Sequence, residues 1–142
     1  MAVETGQAII TYFWTRLTSD ATLKTLLGTP VSCYRVLATE DPAMPYFWHR
    51  LMINGDLFRG VHTYYLDLWY YGDNPTVADS AIDRVKILLQ EHRYTTAYDE
   101  AVGTINWFSG GYIPTDAAKV WHYATQWDVF IGAARDTTNI VG

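Results

Sequence analysis

Apolar residues at the start of the chain recur with the helical period, and most of the remainder alternates with the period of a strand. Ile9, Phe13 and Leu17, with Ile10 and Trp14 beside them, form one stripe that predicts a helix over 5–18. Ser19 suits the N-cap of a second short helix over 20–27, which carries Leu23, Leu26 and Leu27. Gly28 and Pro30 then stop it. Val31–Val36 reads as a short strand, and Leu37–Pro45 as a loop. Tyr46–Ile53 alternates, with Phe47, Leu51 and Ile53 on one side and Tyr46, Trp48, Arg50 and Met52 on the other. Asn54-Gly55 predicts a hairpin turn, since both residues accept positive φ. A long strand follows within Leu57–Tyr71, opened or bulged near Gly60.

Gly72-Asp73-Asn74-Pro75 combines a turn, an Asn cap and a Pro suited to a first helical turn. The helix after it, over 75–91, has Ala78, Ile82, Val85 and Leu89 as its buried stripe with Ala81 and Leu88 flanking, while Asp79, Asp83, Lys86 and Gln90 face water. Strands are predicted at Gly103–Ser109 and at 118–132, joined by a loop through Gly110-Gly111 and Pro114. In the last strand, Trp121, Tyr123, Thr125, Trp127, Val129 and Ile131 oppose His122, Gln126 and Asp128. The order is ααβββαββ, an α+β fold with a largely antiparallel, mixed sheet and helices on one face. One domain spans 1–132, and 133–142 reads as a surface tail.

Composition sharpens this outline. The chain has 142 residues, 49% hydrophobic and 15% aromatic, with only 18% charged. A chain of this length buries roughly 68% of its surface on folding, so its core needs neither disulfide nor metal. The net charge of −5 argues against a protein that grips nucleic acid, which requires a Lys/Arg surplus. The single Cys33 cannot form an intrachain disulfide and reads as a small buried residue. No stretch approaches the roughly 18 apolar residues of a membrane span, and the N-terminus lacks a basic leader. The expectation is a soluble protein made in the cytosol.

Catalytic signatures are missing. No phosphate-binding glycine loop, nucleophile elbow or zinc-protease helix motif occurs. His49, His62 and His122 fall on candidate strands and His92 at a helix end, where it suits the helix dipole. Strand pairing could bring two of them together beside Asp67, but no local spacing supports a metal site. Asp99-Glu100 are adjacent, so on a strand they point to opposite faces and make no catalytic pair. Cys33 lacks a recognisable oxyanion environment. The reading is no enzyme, no cofactor and no metal.

What stands out is the aromatic load of the long strand. Tyr65, Trp69 and Tyr71 share one face and Tyr64 and Tyr70 the other, so helices cover one side and something else contacts the second. Tyr and Trp are enriched at interface cores, which favours a contact surface. An aromatic platform that stacks sugar rings is the alternative from a different functional class.

The assembled pattern resembles the tail terminator (tail completion) family of long-tailed bacteriophages. The residues that carry the resemblance begin with the helix Ala8–Leu17, the phrase Asp20–Gly28 and the strand Val31–Val36. They continue through Pro45-Tyr46-Phe47, Leu66-Asp67-Leu68-Trp69, the helix Val77–Leu89 and the final strand Trp121–Ile131. The Trp-rich strands and the Gly110-Gly111-Tyr112-Ile113-Pro114 loop depart from that pattern. The resemblance implies a structural virion protein, assembled in the host cytoplasm. It would form a homo-oligomeric, hexameric ring at the head-proximal end of the tail tube. Its partners would be the major tail tube protein and the head–tail connector or stopper protein, with genome DNA passing through the lumen unbound. An acidic subunit suits such a channel, because it repels phosphates. A neck subunit of the same ring type is the near alternative. Ring closure needs two different patches on each subunit. The candidates are Trp48, Tyr65, Trp69 and Tyr71 on strands, and Glu40, Asp41 and Met44 in the first loop. Phe58 and Arg59 lie in the second loop, and Tyr112 and Ile113 in the third.

Overall fold

A computed structural model describes residues 5–35, 42–54, 61–90, 92–95 and 101–133. Helices α1 (Thr5–Thr18), α2 (Ala21–Leu27) and α3 (Thr76–Leu89) accompany six strands. These are β1 (Cys33–Arg35), β2 (Tyr46–Met52), β3 (Val61–Tyr71), β4 (His92–Thr95), β5 (Ala101–Ile113) and β6 (Val120–Ala133). They form one sheet in the order β1-β2-β3-β6-β5-β4. β1 pairs parallel with β2, and the other neighbours are antiparallel. The α+β class and the order ααβββαββ hold, with β4 added between α3 and the strand that follows.

The helical stripes fold as their spacing requires. Ile9, Ile10, Phe13 and Leu17 of α1 are buried, as are Leu23 and Leu27 of α2 and the expected stripe of α3 together with its flanking Ala81 and Leu88. Trp14 differs: it is 46% exposed, and its indole N–H donates to the Cys33 carbonyl at 3.1 Å. The cap of α2 is Asp20 rather than Ser19. Asp20 Oδ2 accepts from the Leu23 N–H at 2.9 Å, while the Ser19 hydroxyl bonds back to the Thr15 carbonyl. The Asp20 carboxylate also takes two bonds from Arg84, at 2.7 and 3.0 Å, tying α2 to α3. Those bonds hold its carboxyl below the usual carboxylate range.

Three local expectations fail for identifiable reasons. Met52 pairs with Thr63, so the β2–β3 connection is longer than a two-residue turn at Asn54-Gly55. Asn54 instead spans the gap: its backbone N–H donates to His62 Nδ1 and its amide to the Val61 carbonyl. Second, α3 stops at Leu89, and His92 opens β4 instead of closing the helix. Third, Gly110–Ile113 is strand and not loop, so Tyr112 and Ile113 are strand residues. A bulge between Trp107 and Ser109 lets pairing with β6 continue to Ile113↔His122. A Cβ on Gly110 would lie 2.3 Å from the Trp107 ring, so the glycine makes room for that indole.

The core fills the space between the helices and one sheet face. Phe47, Tyr64, Leu66, Leu68, Ile105, Trp127 and Val129 meet Phe13, Leu17, Ile82, Val85 and Leu89 there. Its polar groups are satisfied internally. Trp127 Nε1 donates to Thr125 Oγ1, whose hydroxyl donates to the Leu66 carbonyl. The Tyr64 hydroxyl pairs with His49 Nδ1 at 2.6 Å. Burial, and then the Arg35 charge, push the His49 pKa down to about 4. Burial raises the Cys33 thiol and the Tyr64 hydroxyl, which leaves both protonated at neutral pH.

Candidate functional site

No helix among the described residues lies over the opposite sheet face. Alternation along β2 and β3 and the register across β3, β6 and β5 decide which side chains share it. In one cross-strand row, Tyr46 stands opposite Trp69, Trp69 opposite His122, and His122 opposite Ile113. The next row is Trp48, Asp67, Ala124 and Gly111, and the third is Arg50, Tyr65, Gln126 and Ser109. Tyr34 of β1 pairs in register with Trp48 of the second row, and its ring stands edge-on to Tyr46 with centroids 5.7 Å apart.

The rings of the first row stand like stacked plates. Trp69 and His122 are 3.9 Å apart at 12° between planes, and Tyr46 and Trp69 are 6.4 Å apart at 19°. Asp67 fixes the end of this stack by accepting a hydrogen bond from His122 Nε2 at 2.8 Å. In the third row, the Arg50 guanidinium lies 4.7 Å over the Tyr65 ring. Its Nε is buried and has no hydrogen-bond partner among the described residues. Tyr34, Tyr46, Trp48, Tyr65, Trp69 and His122 are all half-buried, while Tyr71 is 56% exposed. Sugar binding exploits open ring faces, and Trp69 gives one of its faces to His122. The ladder therefore presents ring edges on a preorganised strip, which suits protein contact better than glycan stacking. At the far end of this face, Met52, Val61 and Phe130 are exposed as well.

The structure thus brings four sequence candidates, Trp48, Tyr65, Trp69 and Tyr71, onto one uncovered face. Ile113 joins them at the β5 edge of the row, and Met44 is exposed just ahead of β2. Tyr112 points the other way. Its hydroxyl donates to the Asp79 carboxylate of α3, and burial together with that carboxylate raises its pKa. Glu40, Asp41, Phe58 and Arg59 lie outside the described residues. Tyr34, Tyr46 and His122 complete the ladder and were missed as contact candidates. Tyr46 shares the Trp48 side by alternation along β2, whereas Tyr34 and His122 are signalled by register between strands.

No group of three or more His, Cys, Asp or Glu among the described residues could hold a metal ion. His49 and His62 are buried on the helix side of the sheet and His122 lies on the open side, so the topology keeps them apart. No helix among the described residues is long and apolar enough to cross a membrane.

In sequence, the chain matches no protein family model and no curated protein. In structure, it is similar to a chain from the virion of a native gene transfer agent particle. The TM-score is 0.68 at 15% identity, covering 84% of this chain and 90% of that one. A second solved structure, whose name states no function, gives a TM-score of 0.69 at 13% identity. It covers 92% of this chain and 97% of its own. At these identities the likeness establishes a shared fold across nearly the whole of each chain.

Proposed function

We propose that this chain is a structural, non-enzymatic virion subunit. It closes into a ring at the head-proximal end of a phage tail tube, where it ends tube polymerisation and joins the tail to the head connector. The observation that carries the reading is the uncovered, preorganised aromatic face on a fold shared with a virion chain. A lone subunit gains nothing from leaving such a strip half-exposed, whereas a repeating assembly covers it. The net charge of −5 suits a lumen through which DNA slides without binding.

Electron microscopy of the purified chain mixed with isolated tail tubes tests the assignment. Rings capping one end of each tube, with tube growth arrested, are expected. Rings that bind only the head connector would reassign the chain to the neck. A monomer that ignores both and binds glycans would overturn the reading.

A further inference from the structure

The two lateral edges of the sheet are unequal, and their chemistry is complementary. β4 covers β5 only from Val102 to Ile105, so from Asn106 to Ile113 no described strand lies along the outer edge of β5. One bond there is met from within: the Trp107 N–H donates to the Gln90 side chain at 2.5 Å. Beyond it, Phe108 is 58% exposed and Ile113 45%. Edges of this kind are templates for another strand. Helix α3 runs along this edge. Its Asp79 receives the Tyr112 hydroxyl, and its Lys86 ammonium lies 4.2 Å over the Trp107 ring. Asp83, between them in sequence, is exposed and makes no ion pair among the described residues. A strand added outside Asn106–Ile113 would therefore place its helix-side residues beneath an acidic flank.

The opposite edge offers the matching strand. β1 lies outermost beyond β2, and Cys33 and Arg35 fall on the helix side while Tyr34 falls on the open side. Arg35 is exposed and makes no ion pair among the described residues. The Cys33 carbonyl is taken by Trp14, which leaves the backbone at Arg35 to meet a partner.

We infer that successive subunits join by sheet continuation, the β1 edge of one copy adding to the Asn106–Ile113 edge of β5 in the next. Arg35 of one copy then faces Asp83 of its neighbour on the helix side. On the open side, Tyr34, whose ring meets Tyr46, then adds to the Gly111–Ile113 end of β5, so the aromatic face runs on from subunit to subunit. The contact joins two different edges, as a closed ring requires. This inference rests on the ring reading above and specifies its lateral strand contact, beside the contacts that the aromatic face makes.

The test uses the full chain and native mass spectrometry across a concentration series. Arg35→Glu alone and Asp83→Arg alone each place like charges together, and each raises the concentration for half-assembly by about tenfold or more. Mixing the two variants restores assembly, because in an alternating ring every junction is again complementary. Both substitutions are at exposed positions, and circular dichroism checks that each variant folds. Wild-type rings with unaffected single variants, or impaired variants that mixing does not rescue, would overturn the edge-to-edge junction while leaving the ring intact. A wild-type chain that stays monomeric in solution and on tail tubes would overturn the ring reading and the junction with it.

Discussion

The two faces of the sheet use the same residue types to opposite ends. Under the helices, Trp127, Tyr64, Phe13 and Phe47 are fully buried, and their polar atoms bond to Thr125 and His49. On the open side, Tyr34, Tyr46 and Trp69 are half-buried, ordered by stacking and by the Asp67–His122 bond. The first arrangement yields stability through close packing and complete polar satisfaction. The second rigidifies a surface without removing it from water, a state that lowers the entropy cost of a later contact. Aromatic content therefore does not by itself separate core from interface here. What separates them is the presence of an apolar helix over the strand.

Substitutions on the two faces should diverge accordingly. The largest effect is expected from Trp127→Ala, which empties a fully buried site beside Trp107 and removes the indole donor to Thr125 Oγ1. Urea unfolding should show a loss of about 3–5 kcal/mol. Acid comes next. The His49 pKa lies near 4 in the fold, below its ordinary 6.5, so the unfolded chain binds the extra proton between those values. The stability this provides is complete above about 6.5 and falls as pH drops toward 4. The total is on the order of 3 kcal/mol. Unfolding curves at a series of pH values, compared between wild type and His49→Gln, isolate this contribution; an identical slope in both would contradict it. Trp69→Ala should be the mildest in the isolated chain, about 1 kcal/mol from lost stacking on His122. Equal losses for Trp69→Ala and Trp127→Ala would erase the distinction between the faces.

Much of the fold was legible because its cause is local. The 3.6-residue stripe of α3 and the alternation of β2 and β3 depend only on neighbours in sequence. Gly110-Gly111 misled because glycine commonly marks a turn, whereas here Gly110 clears space for the Trp107 ring, a tertiary requirement. β4 escaped notice because four residues carry too little pattern, and its pairing with β5 supplies its structure. The candidate surface was half legible. Tyr46, Trp48, Tyr65 and Trp69 follow from alternation within β2 and β3, but Tyr34 and His122 join them through the β1–β2–β3–β6 order. The β3–β6 contact sets Trp69 against His122 across a long sequence separation, and nothing local announces it. Tyr112 reads as a loop residue from the glycines before it, whereas β5 stays paired past the bulge at Trp107/Ser109 and turns it to the helix side.

Native mass spectrometry of the Trp69→Ala/Tyr71→Ala double variant beside wild type tests the central claim most directly. Both side chains lie on the open face, and Tyr71 is 56% exposed, so the variant should stay folded by circular dichroism. The account predicts ring-sized species for wild type and predominantly monomer for the variant. A folded variant that assembles at wild-type concentrations would contradict it.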